Sequence, residues 1–227
     1  MSARPRRPDG SCDLSLVKRP QPLAGVDAWP LVDALLHTIS HDLRSPLLSL
    51  TLSADLLSEH VGVPSGGTRE VALDGLRYGA RDMERMLQSL TVLSRARRRV
   101  PEHDRGPLGL ILGGHLVMSE VEHLINHVVA VDPVAVRELL DEVVGDWPAE
   151  IRVRLDDGFV LVDAPVKVEL PPFEGLPLYA LASSLQTYAG GVVERLAALQ
   201  MVLGQQGASF AFEGARLHLW LPSGAPQ

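Results

Sequence analysis

The side chains with the clearest capacity for chemistry lie together in Ser40-His41-Asp42-Leu43-Arg44-Ser45-Pro46-Leu47. A neutral imidazole has one nitrogen lone pair free to attack and one N–H to donate. A carboxylate beside it accepts that N–H and offsets the positive charge that grows on the ring as the free nitrogen bonds to phosphorus. His41 is therefore a candidate phosphoryl acceptor, with Asp42 as the carboxylate beside it. Ser45 follows one helical turn later, placed to orient a water for the reverse, hydrolytic reaction.

Most histidines are structural, so the case depends on the element that carries this one. Residues 27–60 read as a long helix. At about 100° per residue, Val32, Leu36, Ile39, Leu43, Leu47, Leu50, Ala54 and Leu57 fall within roughly 40° of one direction and form the expected buried stripe. His41 falls about 160° from that stripe and points outward. Leu48, Leu52 and Leu56 continue along its face. An apolar strip beside an exposed histidine is a candidate docking surface, which Arg44 joins. Pro46 bends the helix nearby, because it removes a backbone donor and crowds the previous turn. Pro64, Gly66 and Gly67 mark a turn, and residues 69–98 read as a second helix with Leu73, Leu76, Ala80, Met83, Leu87 and Leu90 as a heptad-like seam. Two such helices make an antiparallel hairpin. Pairing of two chains into a four-helix bundle hides its remaining apolar surface. Packing against the second half of the same chain is the alternative.

The whole chain has 227 residues, enough for one or two domains. Hydrophobic residues make up 46% and aromatic residues only 4%, so the core must be Leu, Val and Ala. A net charge of −7 argues against a general nucleic-acid binder. The charge is uneven: residues 1–99 carry 14 Lys and Arg against 11 Asp and Glu, and residues 100–227 carry 7 against 17. That asymmetry suggests two modules with different partners. Cys12 is the single cysteine, so no intrachain disulfide or cysteine-based zinc site is available, and a reducing cytoplasm fits. No stretch approaches the roughly 20 apolar residues of a membrane span. Residues 1–26 read as a disordered leader without an apolar signal core.

Pro101, Gly106 and Pro107 place a linker at 100–107, with a separate unit over 108–223. There, 118–127 reads as helical, 127–131 as a strand and 133–144 as a helix. Residues 151–155 and 159–162 read as a hairpin around Asp156-Asp157-Gly158, and 166–170 as a further strand. Residues 178–188 and 192–203 read as helices, and 209–212 with 217–221 as a terminal hairpin. This mixture makes an α+β sandwich. Trp147 and Trp220 are expected in its core. The Arg95, Arg97, Arg98 and Arg99 cluster fits a helix C-terminus. His123 and His127 have i, i+4 spacing and His115 lies nearby, but no third ligand is evident, so no metal is expected.

The stretch 40–47 resembles the H-box of bacterial two-component sensor histidine kinases, and the hairpin over about 28–99 resembles their dimerisation and histidine-phosphotransfer domain. The resemblance implies that His41 accepts the phosphoryl group, that Asp42 is the acid/base residue, and that Ser45 assists dephosphorylation. That family usually has Thr or Asn at the position of Ser45. Residues 131–147 resemble the N-box of the family's ATP-binding domain. Glu142 and Asp146 stand where that box has Asn, and Asn126, outside the helix, is the single asparagine of the chain. Val160 to Pro165 sits where the first glycine box belongs. Asp163 matches the adenine-reading aspartate, but Ala164, Pro165 and Val166 replace the residues that let the backbone approach a nucleotide. Pro172-Phe173-Glu174 faintly resembles the F-box. Gly190-Gly191 resembles a second glycine box opening a helix, with Gly175-Leu176-Pro177-Leu178 as a competitor.

The second unit thus reads as a degenerate histidine-kinase ATPase-like domain with a vestigial nucleotide site at Glu142, Asp146, Asp163, Gly190 and Gly191. The combination is similar to dimeric bacterial histidine phosphotransferases. It implies a cytoplasmic homodimer that carries a phosphoryl group on His41, takes it from an upstream phosphodonor protein and exchanges it with the aspartate of a response-regulator receiver domain. No cofactor is then expected, nor nucleic acid, nor a membrane span. One rival is a short soluble kinase that loads His41 from ATP and magnesium. The other is a non-catalytic dimeric interaction module.

Overall fold

A computed structural model describes residues 37–59, 66–100, 105–112, 124–145, 151–173 and 175–224. The expected leader, the first part of the first helix, Asp146, Trp147, Glu174, His115 and His123 lie outside the described residues. So does most of the helix expected over 118–127.

Residues 37–42 are helical, and α1 (Arg44–Glu59) continues from them after an interruption at Leu43. The cause is Pro46. It has no N–H for the Asp42 carbonyl, while the bonds on either side, Leu43 N–H to Ile39 O and Leu47 N–H to Leu43 O, remain. Helix α2 (Gly66–Arg98) runs back along α1 as the second arm of a hairpin. The contact between the arms differs from the leucine stripe read from the periodicity. Leu47 and Ala54 are exposed, Leu43, Leu50 and Leu57 are half-buried, and Pro46 and Ser53 are buried instead. Glycines explain this. A Cβ on Gly79 would stand 3.0 Å from the Pro46 carbonyl oxygen and 3.0 Å from Leu50 Cγ. Gly75 faces the Ser53 hydroxyl even more closely. The helices approach where α2 has no side chain, and small residues of α1 fill the contact. Leu87, part of the expected α2 seam, is exposed, and Leu73, Leu76, Met83 and Leu90 are only partly covered.

The rest of the chain is a small α/β unit. β1 (Arg105–Pro107) pairs antiparallel with β2 (Val128–Ala130). α3 (Leu108–Leu112) follows β1 directly, so part of the stretch read as a linker is a strand. α4 (Pro133–Val144) has the residues expected of it, with Val136, Leu139, Leu140, Val143 and Val144 all buried. Asp132 caps it, accepting from the N–H groups of Val134 and Ala135 at 2.9 and 3.1 Å. β3 (Arg152–Asp156) and β4 (Phe159–Pro165) form the expected hairpin, and Asp157 and Gly158 both take positive φ in its two-residue turn.

Residues 166–170 are not a strand. β4 ends at Pro165, and Lys167 N–H turns to the Val143 carbonyl at the end of α4. Val166, Val168 and Leu170 still pack on the core, which accounts for their alternation. The helix expected over 178–188 is two helices, α5 (Pro177–Ser183) and α6 (Leu185–Tyr188). Ser184 ends one and caps the other by accepting from Thr187 N–H at 3.2 Å. α7 (Val192–Gly204), β5 (Ser209–Glu213) and β6 (Arg216–Pro222) complete the chain.

The main sheet has the order β3-β4-β6-β5, with each pair antiparallel. One face, with Val160, Val162, Ala164, Leu217, Leu219 and Leu221, packs against α4 and α7 to form the larger core. Trp220 is buried but projects from the other face, beside Leu161 and His218, and not into that core. A second cluster joins the halves. Met86 and Leu93 of α2 meet Leu178, Leu181, Leu185, Ala189 and Ala197. The hairpin therefore packs on the second half of its own chain along one face.

Candidate active site

His41 stands on the helical turn just before the Pro46-induced break, with its side chain 75% exposed. Its Nδ1 lies 3.1 Å from Asp42 Oδ1. A carboxylate only accepts, so this contact requires the proton on Nδ1, and in the neutral ring Nε2 then carries the free lone pair. Asp42 is much less open, with its side chain 12% exposed. Its second oxygen, Oδ2, accepts the backbone N–H of Gln186 at 3.0 Å. The carboxylate next to the imidazole is thus held from the α/β unit, 144 residues away in sequence.

Neighbouring contacts fix the same junction. Thr38, one turn before His41, donates its hydroxyl to the Ala182 carbonyl at the end of α5. Arg85 on α2 bonds Asp82 at 3.1 Å and the Gln186 carbonyl at 3.2 Å. Ser89 on α2 and the N–H of Gly190 both donate to Glu194, a carboxylate buried between the halves. No local sequence pattern announces Thr38, Arg85, Gln186 or Glu194, because each acquires its partner from across the chain.

Ser45 and Arg44 are exposed, as expected. Leu48 and Leu52 are 56% and 55% exposed, and Leu56 is also exposed. The apolar strip read beside His41 is therefore a surface of the folded chain.

The residues matched to a nucleotide site are divided among other contacts. Glu142 on α4 takes a bidentate pair from Arg195 on α7, with Nε and Nη2 at 2.8 and 2.7 Å. Hydrogen bonding to Glu142 is the main cause that raises the Arg195 pKa above its ordinary value; burial opposes it. The pair lies at a groove of about 660 Å³ between α2, α4 and α7, lined also by Arg95, Arg99, Glu138 and Asp141. Asp163 is elsewhere. It is buried in β4, bonded by Arg216 Nε at 2.5 Å, with His218 Nδ1 at 3.7 Å. Gly190 has φ +73° and Gly191 precedes the first turn of α7, so a glycine turn does open that helix. Its first N–H is taken by Glu194. Phe173 stacks edge-on against Phe212, with ring centroids 5.9 Å apart. Of the basic run ending α2, Arg99 bonds Asp132 and Glu138 on the α4 side, each at 3.1 Å. His127 Nε2 contacts the Ser223 hydroxyl at 2.8 Å. Among the described residues no group of three or more His, Cys, Asp or Glu side chains gathers in metal-binding array.

An exposed, carboxylate-paired histidine on a helical hairpin is an arrangement able to accept a phosphoryl group. In the comparison with protein families, residues 32–99 match the His Kinase A (phospho-acceptor) domain. Over those residues the chain is similar to the phospho-acceptor domain of histidine kinases. No curated protein matches it. Among solved structures, it is similar to the Acinetobacter baumannii histidine kinase AdeS (11% identity, 82% of this chain and 98% of that one, TM-score 0.38). It is also similar to a bacterial phosphotransferase (14% identity, 89% and 100%, TM-score 0.33). Among the described residues no helix is long and apolar enough to cross a membrane.

Proposed function

We propose that the protein is a phosphorelay carrier in two-component signalling, which takes a phosphoryl group on His41 and returns it to the aspartate of a receiver domain. One observation carries this reading: the exposed His41 imidazole directs Nδ1–H to Asp42 and leaves Nε2 open to a partner. In the transfer, the Nε2 lone pair forms the N–P bond as the P–O bond to the receiver's aspartyl carboxylate breaks. The electron pair leaves with that carboxylate. The ring becomes cationic and keeps its Nδ1 proton against Asp42, which offsets the charge. The reverse step hands the group to a second receiver. Ser45 lies one turn away, where it can orient a hydrolytic water.

Arg44, Leu48, Leu52 and Leu56 dock the receiver in this account. The exposed Leu47 and Leu87, with the half-covered Leu73, Leu76 and Met83, support pairing of two hairpins into a homodimeric four-helix bundle. A cytoplasmic location follows from the partners. The α/β unit acts as a degenerate ATPase-like module. Its matched residues do not suit a magnesium-bound triphosphate: Asp163 is tied to Arg216, and Glu142 is a carboxylate already paired with Arg195. The phosphoryl group therefore comes from a protein donor rather than from ATP. The test is to incubate the protein with a phosphorylated receiver domain. His41→Gln is expected to abolish label uptake; uptake by that variant would overturn the reading.

A further inference from the structure

We propose that Arg85 is a positioning residue for the His41–Asp42 pair, acting through the backbone of Gln186. The inference rests on His41 being the phosphoryl acceptor and adds a residue that no sequence motif marks. The chain of contacts is continuous. Arg85 Nη2 donates to the Gln186 carbonyl, the Gln186 N–H donates to Asp42 Oδ2, and Asp42 Oδ1 faces His41 Nδ1. Each link is between 3.0 and 3.2 Å.

Gln186 sits in α6, a helix of four residues whose first turn leaves its N–H groups without intrahelical partners. Asp42 accepts one of them. Such a short helix has little rigidity of its own, and Arg85 holds its other side from α2. Asp82 steers Arg85 from one turn earlier on the same helix, and the Arg85 stem passes beside Gly190, where a Cβ would stand 3.3 Å from Cγ. The arrangement makes the α/β unit part of the transfer site: it fixes the rotamer of Asp42, and Asp42 fixes the tautomer of His41. A carboxylate free to swing away from Nδ1 would let the proton move to Nε2, where it blocks attack.

The experiment uses the full chain labelled with ¹⁵N-histidine. Two quantities are read: the His41 imidazole tautomer by NMR, assigned by its loss in His41→Gln, and the rate of phosphoryl transfer from a phosphorylated receiver. Arg85→Met keeps the stem against Gly190 and removes the donors. It is expected to shift His41 from the Nδ1–H toward the Nε2–H tautomer and to slow transfer roughly tenfold, because small losses of alignment at a reacting pair have effects of this order. Arg85→Lys, which restores a donor, is expected to recover most of both. Arg85→Ala serves if the methionine variant fails to melt cooperatively. A wild-type tautomer and rate in a folded donor-less variant, with Asp42→Asn still defective, would overturn the role of Arg85 alone. Unchanged readouts in Asp42→Asn as well would overturn the underlying reading of the His41–Asp42 pair.

Discussion

The two oxygens of Asp42 face different parts of the molecule. Oδ1 serves the imidazole beside it and Oδ2 takes an N–H from α6. Asp42→Asn keeps the shape but presents an amide, which cannot offset charge on the ring. Transfer to His41 is expected to slow at least about 100-fold, the lower end of what a positioned acid/base group supplies. Label uptake from a phosphorylated receiver measures it, and a rate within threefold of wild type would contradict the role. At this scale the exposure of His41 and its contact with Asp42 are legible in the sequence. Histidine, carboxylate and hydroxyl are adjacent, and their spacing on a helix predicts exposure. The sequence does not show that Gln186 completes the site, because a backbone N–H leaves no trace in residue type.

The elements carry two further expectations. Leu48→Asp and Leu52→Asp replace exposed leucines and should leave the melting curve nearly unchanged while impairing receiver docking. Folded variants with wild-type transfer kinetics would remove the strip from the docking surface. In the hairpin itself, Gly79→Val inserts three carbons where the Pro46 carbonyl already stands 3.0 Å from a Cβ position. Overpacking of this kind is expected to cost about 1–3 kcal/mol in chemical denaturation. Gly67→Ala meets nothing within 4 Å and should be neutral or stabilise by up to about 1 kcal/mol. Equal effects of the two substitutions would contradict the close approach at Gly79. Periodicity located α4 and, among the described residues, the helical character of both arms, since each has a continuous apolar spacing. It misplaced the contact face of α1, because a wheel of leucines cannot register that the opposing helix offers glycines. It also joined α5 to α6, where a single serine both ends and begins a helix, and it extended a strand through 166–170, where alternation reflects packing on α4 without a neighbouring strand.

Across the whole molecule, the two halves share a buried apolar cluster and polar ties at Asp42, Glu194 and Asp132. The α/β unit is expected to have its own acid sensitivity. His218 is buried in β6 between Asp163 and Glu213, with Arg216 and Arg154 also facing it. Burial is the main cause that lowers its pKa, and it outweighs the two carboxylates. The unfolded chain then takes up this proton at higher pH than the folded one. Stability is expected to decline as pH falls below about 6.5, the ordinary histidine value, toward the lowered folded value. Denaturant midpoints measured from pH 7.5 to 5.5 should fall less steeply in His218→Gln, and equal slopes would contradict the assignment.

The resemblance to an ATP-binding module rests on residue order alone, and the engagement of Asp163 with Arg216 and of Glu142 with Arg195 required the fold. The most direct test of the account is to offer the protein labelled ATP with magnesium and, separately, a labelled phospho-receiver. Label is expected on His41 from the receiver, and none from ATP. Label arriving from ATP alone would contradict it and make the chain a short autokinase. Label from neither, across several receivers, would leave a dimeric interaction module in its place.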